Sequence, residues 1–125
     1  MKVRVKLVQK DLLENKESVI VDTIGLLNSD RLLYKEAETG AKHRVSFSSE
    51  GVVLERSAEV SSRSDLKLRQ KGESVVSSPY GEMRFETYCR SLEKREDKWQ
   101  VEYSILQQGE VVSDFILIWY LQMIS

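Results

Sequence analysis

Apolar and polar residues alternate along most of this chain. From Lys2 to Val8 the odd positions Val3, Val5 and Leu7 are apolar and the even positions Lys2, Arg4 and Lys6 are basic, the period of two expected of a half-buried strand. Asp11, three residues before Glu14, can cap a short helix carrying Leu12 and Leu13, with an irregular loop the equal alternative. The β-branched stretch from Ser18 to Asn28 predicts a long strand with a bulge or bend at Gly25, and Asn28-Ser29-Asp30 turns the chain. Arg31 to Glu38 predicts another strand, ended by the Gly40 turn. His43, Val45 and Phe47 then face one way and Lys42, Arg44 and Ser46 the other. A tight turn at Ser49-Glu50-Gly51 leads into Val52 to Ser57.

The second half reads the same way. Val60, Ser62, Ser64, Leu66 and Leu68 share one face opposite Glu59, Arg63, Asp65, Lys67 and Arg69. Lys71-Gly72 opens the strand from Glu73 to Ser77, and Pro79 and Gly81 punctuate the chain before Met83, Phe85, Thr87 and Cys89 alternate with charged neighbours. Glu93 to Lys98 reads as a solvated connection, and Trp99, Val101, Tyr103 and Ile105 share the next inner face. The run from Phe115 to Leu121 is apolar at every position, too short to span a bilayer as a helix, which needs roughly 20 residues. On a strand it places Phe115, Leu117, Trp119 and Leu121 inward and Ile116, Ile118 and Tyr120 outward. Those outer three form a candidate interaction surface, to be covered either by the Leu12-Leu13 segment or by a homodimer contact.

About eight to ten strands with turns every eight to twelve residues predict an all-β fold, a single antiparallel up-and-down barrel spanning residues 1–125. A barrel of this size is either filled by side chains or holds one small ligand. Composition agrees: 41% hydrophobic and 31% charged residues are those of a globular domain. The net charge of -1 argues against a general nucleic-acid binder. Two basic faces, Lys2, Arg4 and Lys6 on one strand and Arg63, Lys67, Arg69 and Lys71 on another, make a phosphate-binding patch only if those strands are neighbours, and cross-strand salt pairing is the commoner outcome. The lone cysteine, Cys89, allows no internal disulfide. The N-terminal stretch has no apolar core of a signal-peptide kind, so a cytoplasmic location is expected.

Four stretches, LLYKEAE, VVLERS, SSPYGEMRFETYCRSL and VEYSILQQGEVVSDFILI, resemble in order and spacing the YwiB-like family of small bacterial proteins over most of the chain. The Pro79-Tyr80-Gly81 turn followed by Thr87 and Leu92 carries most of the likeness, with Tyr34, Lys35, Glu36 and Arg56 in support. Leu33 stands where the family has an aromatic residue and Ser78 where it has Thr. The resemblance implies a calycin, lipocalin-like barrel and implies no activity.

Motifs for chemistry are absent. One Cys and one His far apart in sequence cannot build a zinc site, and there is no phosphate loop, GxSxG elbow or HExxH helix. No cofactor and no metal is expected, and His43 reads as a structural histidine. The informative polar residues are those that alternation turns indoors: Glu36 with Tyr34, and Arg56 with Leu54. Buried charges must pair, so Glu36 and Arg56 are expected to meet each other or a ligand. On the same register Thr87, Trp99 and Tyr103 line the cavity. The leading expectation is a non-enzymatic barrel that takes a small, partly apolar ligand oriented by Glu36 and Arg56. The alternative is a scaffold whose outer face binds a macromolecule or a second copy, and in an enzymatic variant Glu36 is the acid or base.

Overall fold

The structure, a computed structural model, describes residues 1–124. Ten strands follow one another: β1 (Lys2–Asp11), β2 (Lys16–Asn28), β3 (Arg31–Lys35), β4 (Lys42–Phe47), β5 (Gly51–Ser57), β6 (Ser61–Lys67), β7 (Lys71–Ser78), β8 (Gly81–Lys94), β9 (Lys98–Gln107) and β10 (Glu110–Met123). Each pairs antiparallel with the next, and β10 pairs with β1, so the sheet closes on itself. Closure satisfies both ladders of the apolar last strand: Leu117 faces Gln9 on one side and Val101 on the other. This is the all-β, up-and-down barrel that the alternation predicts.

Alternation holds because one face of every strand meets the interior. Val3, Val5, Leu32, Val45, Phe47, Val52, Leu66, Val101 and Trp119 are all essentially inaccessible. Three places break the register. Leu7 faces Val21 while Val8 faces Val19, so Ile20 is the extra residue of a bulge in β2; Arg90 is extra in β8 and Val112 in β10. The β2 bulge therefore falls at Ile20, and Gly25 has a different role. A Cβ on Gly25 would sit 2.6 Å from the Leu33 carbonyl oxygen and 3.0 Å from Val5 Cγ2, so glycine is needed there for strand contact.

Two further expectations are corrected and one open alternative is decided. β3 stops at Lys35, because Glu36 turns its backbone into the loop, donating from N–H to the Ala41 carbonyl at 2.8 Å. The Glu93–Lys98 stretch is only half connection, with residues 95–97 joining β8 to β9 and Glu93, Lys94 and Lys98 in strand. Residues 12–15 form a turn, not a helix, although Asp11 does cap it: its Oδ1 accepts from the N–H groups of Leu13 and Glu14 at 3.0 and 3.1 Å.

The outer face of β10 is covered from within the sheet. Ile118 is 4% exposed, flanked on its ladders by Val8 and Gln100, and Ile116 is half-buried between Lys10 and Glu102. Tyr120, between Lys6 and Lys98, remains 44% exposed. Leu12 and Leu13, at 43% and 56%, do not pack across this strip as expected. Nearby, Arg90 uses its bulge position to strap three strands, donating to Glu102 on β9 and Asp114 on β10 and to the Ser104 hydroxyl. The two basic faces do not merge, since β1 lies between β2 and β10 while β6 lies between β5 and β7. Three of these seven cations pair locally, Arg4 with Asp22, Arg63 with Glu55 and Lys71 with Glu86.

Candidate functional site: a polar cavity in the upper half of the barrel

The loops after β1, β3, β5, β7 and β9 gather at one end, called the upper end here. In the lower half large side chains fill the bore: Phe47 packs on Trp99 with ring centroids 5.3 Å apart, beside Leu32 and Leu66. In the upper half the inward positions of β6 are Ser62 and Ser64. The Ser64 hydroxyl is spent on Ser74 across the ladder at 2.8 Å. These small side chains leave a cavity of about 270 Å³.

Its apolar lining comes from Leu7, Ile20, Val45, Leu54, Leu117 and Trp119, and its polar lining from Gln9, Tyr34, His43, Arg56, Ser62, Ser64 and Tyr103, with Arg44 and Glu55 at its edge. Tyr34, His43, Arg56 and Ser62 are successive partners on four adjacent strands, so one rung of the barrel carries four of the polar lining residues. Tyr34 is fixed from two sides. The Trp119 indole N–H donates to its hydroxyl at 3.1 Å, and its ring stacks on His43 at 4.7 Å with the planes 11° apart. Burial pushes the Tyr34 phenol up to about 12 and raises that of Tyr103 as well, so both stay protonated as donors.

Glu36 sits at the rim. Arg56 grips its carboxylate with two donors, Nε to Oε2 at 2.9 Å and Nη2 to Oε1 at 3.4 Å. Thr39 donates to Oε1 at 2.8 Å, and His43 Nε2 contacts Oε2. Arg56 holds the Glu36 carboxyl at about 2, with His43 and Thr39 helping, against the opposing effect of burial. The carboxylate is thus ionised and occupied at neutral pH, a poor general acid or base, which works best with a pKa near the working pH. Arg56 also reaches the Val60 carbonyl at 3.4 Å, tying the β5–β6 loop to the same cluster.

The sequence-nominated residues therefore separate. Tyr34, Arg56 and Tyr103 line the cavity, and Glu36 braces its rim through Arg56 and His43. Thr87 and Trp99 do not line it: Trp99 belongs to the packed half, and Thr87 is wholly buried, donating to the Asp65 carbonyl at 3.1 Å. That contact passes Gly72, where any Cβ would stand 2.0 Å from the same carbonyl oxygen. Cys89 is likewise buried within the core cluster. The residue that sequence reasoning underused is His43. Its inward phase was readable, and the one available signal was that it shares that phase opposite two nominated positions, Tyr34 and Arg56. Among the described residues no group of three or more His, Cys, Asp and Glu side chains is placed to hold a metal ion.

Comparison with known proteins adds the fold's lineage and no chemistry. No curated protein matches the chain. The crystal structure of the ywiB protein from Bacillus subtilis is similar in fold, with a TM-score of 0.64 at 20% identity over 98% of this chain and 91% of that one. Residues 3–118 match the family model described as a domain of unknown function, DUF1934, and the chain belongs to that family.

Proposed function

We propose that this barrel is a non-enzymatic binding protein that takes one small, partly apolar molecule into its upper cavity. The observation that carries the reading is the contrast in the lining: aliphatic and indole surface on one side, and a rung of hydrogen-bond donors on the other. Tyr103 has no protein hydrogen-bond partner among the described residues, Tyr34 accepts from Trp119 and keeps its own O–H, and Ser62 is free. Such a lining favours a ligand with a carbonyl or carboxylate acceptor on an apolar body, as small-molecule sites generally combine apolar walls with a few placed polar groups. At about 270 Å³ the space lies at the small end of ligand pockets, which run about 300–1,000 Å³, and suits a small metabolite.

Glu36 contributes by position. Its carboxylate fixes the Arg56 and His43 side chains and offsets the Arg56 charge, leaving the remaining Arg56 N–H groups for the ligand. The test is thermal unfolding in the presence of a panel of small aliphatic and aromatic carboxylates and ketones. A binder at a hundred times its Kd stabilises by about 2.7 kcal/mol. Stabilisation by a subset of the panel, lost in a Ser64→Leu variant whose side chain occupies the cavity, is the expected result. A flat response to the whole panel, with nothing co-purifying in native mass spectrometry, contradicts the reading.

A further inference from the structure

The barrel is closed, but one seam is short. β2 and β3 share only four ladder pairs, from Gly25–Tyr34 to Asn28–Arg31. Above them β2 pairs with β1 alone, so the far edge of β2 from Lys16 to Ile24 has no ladder partner among the described residues. Of the usual guards this edge has the bulge at Ile20 and the charges of Lys16, Glu17 and Asp22 but no proline, and Val19, Ile20 and Ile24 are 56%, 46% and 60% exposed. Beside it on the outer wall lies a groove of about 540 Å³. Ile24, Leu26 and Leu33 give it an apolar floor, and Lys2, Lys35, Lys42 and Arg44 stand around it. None of these four cations has a salt-bridge partner among the described residues, while Glu55, the one acid in the lining, is engaged by Arg63 at 3.6 Å.

We propose that this edge and groove form a docking site for an extended, acidic and aliphatic peptide segment of a partner protein, which adds as a strand to β2. The unpaired edge supplies main-chain hydrogen bonds, as in other strand-addition complexes. The apolar floor takes the aliphatic side chains of the incoming segment, and the unpaired cations take its carboxylates. A second copy of this chain fits poorly, because pairing edge to edge brings two sets of the same cations together. A small acyl anion could match the groove, but it leaves the strand edge bare.

The probe is a set of ten-residue peptides alternating Glu with Val or Leu in both phases, alongside the same set with Lys in place of Glu. Binding is read by fluorescence anisotropy and by hydrogen exchange of the β2 amides. The expected result is binding by the acidic peptides alone, weakening with added salt, with slowed exchange within Lys16–Ile24. A Lys42→Glu, Arg44→Glu double variant, altered only at outward-facing side chains, should keep its Tm and lose roughly tenfold or more in affinity. The proposal is overturned if no acidic peptide binds, if the Lys peptides bind equally well, or if binding leaves the β2 amides unprotected. Slowed exchange of this edge through self-association in the absence of peptide also overturns it.

Discussion

The two halves of the barrel interior are built on the same ladders and differ in what their inward positions carry. Below, Phe47, Leu66 and Trp99 leave no room, and stability comes from burying large apolar side chains. Above, Ser62 and Ser64 occupy equivalent positions on β6, and the space they leave is bordered by Tyr34, His43, Arg56 and Tyr103. The backbone register continues through both. Side-chain volume along single strands therefore decides where the barrel is solid and where it is hollow, and the polar rung stands where the packing gives out.

The largest expected difference between the halves is in their cost of truncation. Trp99→Ala should destabilise by about 3–5 kcal/mol in urea unfolding, the usual cost of removing a fully buried large aromatic side chain. A loss under 1 kcal/mol would mean that the lower half is not close-packed. The Glu36 cluster comes next. Glu36→Gln leaves Arg56 without its ionic partner and should cost about 1.5–3 kcal/mol, the range for hydrogen bonds to charged groups. It should also change the acid limb. The Glu36 carboxyl is held at about 2 against an ordinary 4.5, so its stabilising contribution is complete above pH 4.5 and is lost as the pH falls towards 2. Unfolding measured across that window should be less steeply pH-dependent in the variant, and an unchanged slope would show that Glu36 is not tied down in solution.

The two smaller effects sharpen the comparison from the hollow side. Ser62→Val should gain about 0.5–2 kcal/mol by filling space while abolishing ligand stabilisation. Destabilisation instead would mean that the upper interior is already full. Tyr103→Phe should change stability by less than about 0.5 kcal/mol, because no protein hydrogen bond is lost. Its effect should fall on ligand affinity, read by the same thermal shifts.

Much of this architecture was legible in the sequence because strand alternation reports a face. It turned Tyr34, Arg56 and Tyr103 inward and made Glu36 and Arg56 seek each other, and the structure places Arg56 on both carboxylate oxygens. Alternation does not report height along the barrel. Thr87 and Trp99 have the inward phase of the cavity residues but do not line it, since which inward positions meet depends on the shear accumulated over all ten strands. Outward phase is equally incomplete as a guide to exposure: Ile118 points out of the barrel and is still covered by its sheet neighbours. The unpaired edge of β2 was also unreadable, because the seven residues from Ser18 to Ile24 look like any central strand and only the early end of β3 leaves them without a neighbour.

The division of the interior can be read in one titration, because of the two tryptophans, direct partners on the β9–β10 ladder, only Trp119 lines the cavity. In a ¹⁵N-labelled sample the indole N–H of Trp119, hydrogen-bonded to Tyr34 at the cavity wall, and that of Trp99, packed below against Phe47, give separate signals. Addition of a stabilising small carboxylate or ketone should move the Trp119 signal to saturation and leave the Trp99 signal in place. A Trp119 signal that stays fixed while the compound stabilises the protein, or equal movement of both, would contradict a binding cavity confined to the upper half.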